Sequence, residues 1–289
     1  MDPLGPIDLH HQNAERVIGC WLLETPDGLA LNDCGPASCV PCLEQELDRR
    51  GVALTDVRHL LLTHIHLDHA GATGVLVRKH PHLQVHVHSD GAPHLIDPTR
   101  LERSARRLYG EAFDDLWGEV VATPEENVRI LEHKVLGLDA VPTPGHADHH
   151  VCFLAPDGTL YAGDAAGVRI APDPYVSPPT VPPQFDLDTW LRSLDELERL
   201  EPERIALIHF GVVDDIGPHL DQLRDRLRTW AADEAPEDEW LGRREAERAA
   251  DSDDVRTSEL AMPLWQSYRG LRRYWDTAAE TDEPTIASR

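Results

Sequence analysis

Lysine is almost missing from this chain of 289 residues: Lys79 and Lys134 are the lysines among 27 basic residues, set against 52 acidic ones. The formal net charge of −25 repels nucleic-acid phosphates and anionic membranes, so neither is expected as a partner. Long apolar runs are missing too. No stretch approaches eighteen consecutive apolar residues, which excludes a membrane-spanning helix. The start, Met1-Asp2-Pro3-Leu4-Gly5-Pro6, has no basic segment leading into an apolar one, so no secretory signal is expected. Cysteine is sparse and odd in number. Cys20, Cys34, Cys39, Cys42 and Cys152 are scattered, which fits a reducing cytoplasm better than a disulfide framework. Cys39 and Cys42 form a lone Cys-x-x-Cys, read as small residues near a helix start that Ser38 caps. A glycine-rich phosphate loop is absent as well. The expectation is a cytoplasmic protein acting on a small molecule. Its acidic excess suits high salt, where screening removes self-repulsion.

Histidine is plentiful where it counts. Thr63-His64-Ile65-His66-Leu67-Asp68-His69 follows the apolar run from His59 to Leu62. Neutral imidazole and carboxylate are common ligands of zinc and other water-activating divalent metals. In an extended segment residues two apart point the same way, so His64 and His66 are expected to converge on one ion. Asp68 and His69 are placed to reach a second. Three further runs end in the same chemistry: Leu138 to Val141 before Thr143-Pro144-Gly145-His146, Leu160 to Ala162 before Gly163-Asp164, and Ile205 to Ile208 before His209-Phe210-Gly211. Strand ends carrying His or Asp beside glycine are the pattern of several strands delivering ligands to one rim of a sheet.

These motifs resemble the metallo-β-lactamase-fold superfamily. His64, His66, Asp68 and His69 stand as its His-x-His-x-Asp-His signature, and His146, Asp164 and His209 as its later ligands, in order over roughly residues 15 to 211. The resemblance implies an α/β, four-layered αββα sandwich with two metals between the sheet edges. It implies that His64, His66 and His146 hold one ion, that Asp68, His69 and His209 hold the other, and that Asp164 bridges. The ions implied are divalent, zinc first, with iron or manganese also suited to the ligands.

Around these motifs the pattern predicts a hairpin of Val17 to Leu23 and Leu29 to Asp33 about the turn Pro26-Asp27-Gly28. It predicts a helix over 40 to 50 ending at Gly51, and a helix from His69 to His80 whose positive end faces the site. His86 and His88, on one face of a strand from Leu83 to His88, are read as non-ligands. Residues 92 to 118 form a helical insertion; Arg100, Arg103, Arg106 and Arg107 read as its solvated face, with a lid over the site as the alternative. The proline-rich segment after Asp164 is expected to border the pocket, with Tyr175 and Phe185 as lining candidates, and to end at Asp186 as N-cap of a helix to Leu200. Residues 1 to 215 form the expected catalytic unit and 216 to 289 an acidic helical extension. Arg243, Arg244 and Arg248 read as a solvated face. The stripe from Leu260 to Trp275 is a helix docking on the body, or else on a second copy in a homodimer.

The chemistry expected is hydrolysis by a metal-bridging hydroxide, with Asp68 both ligand and proton shuttle. Pro-Gly-His at 144 to 146 resembles the glyoxalase II and lactonase-like branches, which implies an ester, thioester or lactone substrate. A mononuclear-iron persulfide dioxygenase is the first alternative, and a phosphoester or nucleic-acid hydrolase the second. A secreted β-lactamase is disfavoured by the lack of a signal. A flavin-partnered oxidoreductase is disfavoured by the lack of room for a second domain. An intact ligand set disfavours a plain binding module.

Overall fold

The structure, a computed structural model, describes residues 5–282. The first residues of the expected catalytic unit and the last of its extension lie outside the described residues. The described residues form two six-stranded sheets. The first is built in sequence order from β1 (Ile7–Asp8), β2 (Gly19–Thr25), β3 (Gly28–Asn32), β4 (Val57–Leu61), β5 (Gln84–Val87) and β6 (Val128–Ile130). The second contains β7 (Lys134–Val135), β8 (Leu138–Pro142), β9 (Val151–Leu154), β10 (Thr159–Tyr161), β11 (Arg204–Leu207) and β12 (Gly211–Val213), again each beside its sequence neighbour. The expected hairpin is β2 and β3, with Leu23 opposite Ala30 and Trp21 opposite Asn32. From β3 to β6 the strands run parallel, the usual consequence of helical crossovers.

The four layers follow from a period of two. Successive residues of a strand face opposite sides. In β11 and just beyond it, Ala206 and Ile208 enter the core between the sheets, whereas Ile205 and Leu207 enter a second core on the outer face. In β9 Phe153 faces inward and Cys152 outward. The outer layer on the first sheet carries α1 (Val40–Arg49), with Val40, Leu43 and Leu47 buried. After β4 come α2 (Leu67–Ala70) and α3 (Thr73–Lys79). The insertion consists of α4 (Ala92–Ile96), α5 (Thr99–Tyr109) and α6 (Phe113–Trp117). On the second sheet lie α7 (Leu187–Arg199) and α8 (Ile216–Ala231). They are followed by α9 (Glu237–Asp251), α10 (Val255–Ala261) and α11 (Leu264–Asp282). Leu264, Tyr268, Leu271 and Trp275 of α11 join the outer core of the second sheet, so the stripe docks on the body.

Four expectations need correction. The helix expected from His69 to His80 begins at Leu67 and breaks after Ala70. The cause is the segment after β3: Cys34 N–H donates to the His69 carbonyl and Ala72 N–H donates to the Gly35 carbonyl, so neighbouring backbone replaces the helix ladder. With α2 only four residues long, its dipole is a weak source of positive field. Ser38 does not cap α1; its hydroxyl donates to the Leu116 carbonyl of the insertion. The stripe from Leu260 to Trp275 is not one helix, because α10 ends at Ala261 and Pro263 precedes α11. Arg244 and Arg248 are not solvated but buried, Arg244 against Asp233 and Arg248 against Glu259 and the Met262 carbonyl. Asp186 does cap α7, accepting from Thr189 N–H.

Both sheets meet at one end. Val151 N–H donates to the Thr63 carbonyl over 2.8 Å, and Gly19 N–H donates to the Ile208 carbonyl over 2.9 Å. At the other end they part around a cleft of about 940 Å³, lined by the turns at Pro26, Gly137 and Pro156. The joined end carries the site. No helix among the described residues is long and apolar enough to cross a membrane.

Candidate metal centre

Seven side chains expected from the sequence meet at the joined end in two groups that share Asp164. In the first, His64 Nε2 lies 2.9 Å from His66 Nδ1. His146 Nε2 lies 3.2 Å from His64 Nε2, 2.9 Å from His66 Nδ1 and 3.3 Å from Asp164 Oδ2. In the second, His69 Nε2 is 3.2 Å from Asp164 Oδ1 and 3.8 Å from Asp68 Oδ2. His209 Nε2 is 3.4 Å from Asp68 Oδ2 and 3.8 Å from Asp164 Oδ1. Within each group the ligand atoms lie inside 4.8 Å of one another.

The far side of four rings fixes which nitrogen carries the proton. His146 Nδ1 faces the Pro179 carbonyl at 2.8 Å and His209 Nδ1 the Val17 carbonyl at 2.7 Å. A carbonyl can only accept, so both Nδ1 atoms donate. His69 Nδ1 lies 2.8 Å from Asp33 Oδ2. Thr63 Oγ1 gives its proton to Asp33 Oδ2 and so accepts from His64 Nδ1 at 3.1 Å. In the neutral rings, each Nε2 is then a bare lone pair turned inward. His69 Nε2, His209 Nε2 and Asp164 Oδ1 are buried with no hydrogen-bond partner. Lone pairs and carboxylate oxygens converging without protons between them are the donor set of a cation, and carbonyl or carboxylate partners behind the rings are the usual support of metal-binding histidine. These residues fit a metal.

The electrostatics point the same way. Burial holds the His64, His66 and His146 rings below their ordinary range, which keeps them neutral. Burial also opposes a proton on His69, but Asp164, Asp68 and Asp33 overcome it and raise that ring well above its usual value. Carboxylates that draw a proton onto His69 also draw a cation. Burial disfavours the charged form of Asp68, yet His69 and the contact with His209 outweigh it and hold the carboxyl below its ordinary range.

Asp33 and Thr63, given no role in the sequence reading, hold the site in place. Asp33, after β3, accepts from Thr63 N–H, Thr63 Oγ1 and His69 Nδ1. Thr63 links it to His64. Asn32-Asp33 at a strand end before Gly35 was the available signal. His150 is fully buried, and its Nε2 accepts from Asp164 N–H while its Nδ1 meets Thr143 Oγ1. Gly145, at φ +126°, puts its missing Cβ 2.4 Å from the Trp190 backbone, so α7 packs on the His146 loop as no other residue would allow. Trp190 also ties down the Asp164 loop by donating to the Ala165 carbonyl. His86 lies away from the centre, against His59. Tyr175 is buried under Arg226 and Arg248, and Phe185 packs on Trp190 and Tyr274; both pin the proline-rich loop rather than line the pocket.

His66, Asp68 and Asp164 form the floor of a cavity of about 290 Å³. Its walls come from α5 and α6, from Val181 to Pro183, and from Met262 and α11. A model of the metallo-β-lactamase superfamily matches residues 15–209.

The chain belongs to the metallo-β-lactamase superfamily.

Among relatives in the superfamily, the metallo-β-lactamase fold-containing protein ST1585 of Sulfurisphaera tokodaii is 29% identical over 169 residues, 55% of this chain and 63% of that protein. The crystal structure of ST1585 superposes with a TM-score of 0.63 at 22% identity, covering 93% of this chain and 96% of the other, which supports the common fold. An atrochrysone carboxyl ACP thioesterase of Pseudocercospora fijiensis is 28% identical over 131 residues, 45% of this chain and 31% of that enzyme. The chain therefore spans less than two thirds of the length of both curated relatives. The protein TTHA1623, solved in a di-iron-bound form, has a TM-score of 0.53 at 26% identity and is covered over 93% of its length by 73% of this chain.

Proposed function

We propose that the chain is a metal-dependent hydrolase of a small-molecule ester, thioester or lactone, with His64, His66 and His146 holding one divalent ion, Asp68, His69 and His209 a second, and Asp164 both. The observation that carries this reading is the set of inward lone pairs, fixed by oxygen acceptors behind the rings, at the floor of a cavity. Zinc is the metal proposed; the iron in TTHA1623 makes iron the competing one. Such ions, when bound, lower the pKa of water and polarise a carbonyl or phosphoryl oxygen. The chain's own residues do the rest. Asp33 and the Pro179 and Val17 carbonyls orient the imidazoles by accepting from their outer nitrogens. The apolar wall of Leu101, Ala105, Leu108 and Met262 excludes water from the acyl part of a substrate. Asp68 is the exposed carboxylate of the centre, 18% exposed against 2% for Asp164, and holds or passes a proton at its carboxylate oxygens. The thioesterase relative supports a thioester among the candidate substrates.

In the same reading residues 1 to 215 form the catalytic unit, and the extension from 216 completes it, since α11 lines the cavity. It works in a reducing cytoplasm at high salt, with no nucleic-acid or membrane partner; four of its five cysteines are buried and all are free. Stability that rises in molar KCl checks the salt requirement. A homodimer is open to test by light scattering.

Elemental analysis of protein purified without chelator, alongside His146→Ala and His209→Ala, tests the centre. About two equivalents of metal, with each variant losing about one, is the expected result. Hydrolysis of an ester, thioester and lactone panel then follows metal content. A single ion that survives loss of His209 overturns the binuclear reading.

A further inference from the structure

The cavity has one sign of charge on its wall. Arg107 of α5 and Arg269 and Arg273 of α11 all line it. Apart from Asp68 and Asp164 on the floor, no carboxylate among the described residues does. That is unusual in a chain with 52 acidic residues and 27 basic ones. Several other arginines are matched with acids: Arg106 with Glu102 and Asp114, Arg224 with Asp195, Glu198 and Asp221, Arg272 with Asp276. Among the described residues, Arg107, Arg269 and Arg273 have no such partner. Arg273 Nε donates to the Pro183 carbonyl, and Arg269 lies over the Trp265 ring, 5.0 Å from its centre. Both contacts hold the stems in place and leave guanidinium N–H groups to the cavity.

The placement is built into α11. Gln266, Arg269 and Arg273 recur at three and four residues and so share one face. Gln266 is held by Tyr109, whose hydroxyl donates to its Oε1 over 3.3 Å. Gly270 lets this helix close on the proline-rich loop: a Cβ there would lie 1.9 Å from the Thr180 carbonyl oxygen. The helix thus stands where its arginines reach the mouth above the floor.

We infer that Arg107, Arg269 and Arg273 select a substrate whose scissile group is tethered to a carboxylate or phosphate. A guanidinium fork matches either anion with paired hydrogen bonds. The floor takes the carbonyl end, the apolar wall the hydrocarbon, and the arginines the anion. The inference rests on the proposed hydrolase reading for the word substrate; the anion site itself stands on the wall residues.

Binding separates the two. The full chain, loaded with metal, is titrated with the thioether (hexylthio)acetate and with its primary amide. Neither has a scissile ester, thioester or lactone, so a chain that cleaves nothing still gives an answer. The anion is expected to bind about tenfold tighter than the amide, and Arg269→Gln with Arg273→Gln to bring that ratio to about one. Arg272→Gln, on the same helix but paired outside the cavity, keeps the ratio. A phosphonate in place of the carboxylate, gaining by the same factor, supports the site equally and names the anion. A ratio near one in the parent protein overturns the inference. So does a ratio that survives the double substitution, because the anion is then held by the metals. If the panel of thioesters is cleaved, S-hexanoylthioglycolate is expected to exceed its methyl ester in kcat/KM, chiefly through KM.

Discussion

In the centre beneath the cavity four histidines are held from behind: His146 by the Pro179 carbonyl, His209 by that of Val17, His69 by Asp33 and His64 by Thr63. On the cavity wall, Arg107, Arg269 and Arg273 stand exposed, with no acid paired to them among the described residues. The floor is made of strand ends and short loops of the two sheets. The wall is made of an insertion, a proline-rich loop and the last helices, each docked from elsewhere in the chain. The two parts are fixed differently: backbone carbonyls and one carboxylate orient the rings of the centre, whereas side-chain packing fixes the wall, α5 and α6 on the inner core and α11 on the outer core of the second sheet.

Trp240→Ala is the strongest attempt to break that separation. Trp240 is fully buried against Trp230 and Tyr268 and ties α9 to α8 and α11. Its removal is expected to cost about 3–5 kcal/mol in thermal or urea unfolding. Metal content of the molecules that stay folded is expected to be unchanged. If it drops in step with stability, floor and wall are one unit.

Asp33→Asn sharpens the comparison from the other side. It keeps the volume but removes the charge behind Thr63 and His69. Metal affinity, read by competition with a chelator, is expected to fall about 10–100-fold with the wall intact. A change under about threefold makes Asp33 a packing residue only.

A third test concerns the backing of the Asp164 loop. His219 donates through Nε2 to the Ala166 carbonyl, while its buried Nδ1 has no partner. Burial pushes its pKa down from 6.5 to about 4. The folded protein keeps this ring neutral while the unfolded chain protonates it. Its contribution is therefore complete above pH 6.5 and is lost as pH falls toward 4. His219→Gln is expected to flatten the fall in unfolding free energy over that window, by at most about 1.4 kcal/mol per pH unit. An unchanged slope means that the ring is protonated in the fold.

The same division explains what was legible in the sequence. His64, His66, Asp68 and His69 sit in one short run, and His146, Asp164 and His209 follow apolar strands with glycine beside them, so local pattern placed all seven at one rim. The sandwich was legible only through the resemblance that those seven residues carry. What was not legible came from distant partners. The break between α2 and α3 depends on the Gly35 carbonyl, 37 residues before Ala72. Asp33 looked like the end of a hairpin strand because its partners lie 30 and 36 residues away. Arg244 and Arg248 alternate with glutamates as a solvated face would, and only the fold of α9 onto α8 and α10 buries them. The wall arginines carried no motif because two segments far apart in the chain, α5 and α11, assemble them.

The two sheets are hydrogen-bonded to each other at Thr63 with Val151 and at Gly19 with Ile208, and gape at the opposite end. Such a joint behaves as a fulcrum. When one sheet rocks against the other, displacement grows with distance from the line of contact, so the turns around Pro26, Gly137 and Pro156 swing most. The ligand-bearing loops lie on the axis. Thermal rocking of the sandwich therefore breathes the far cleft while leaving the spacing of the histidines almost still.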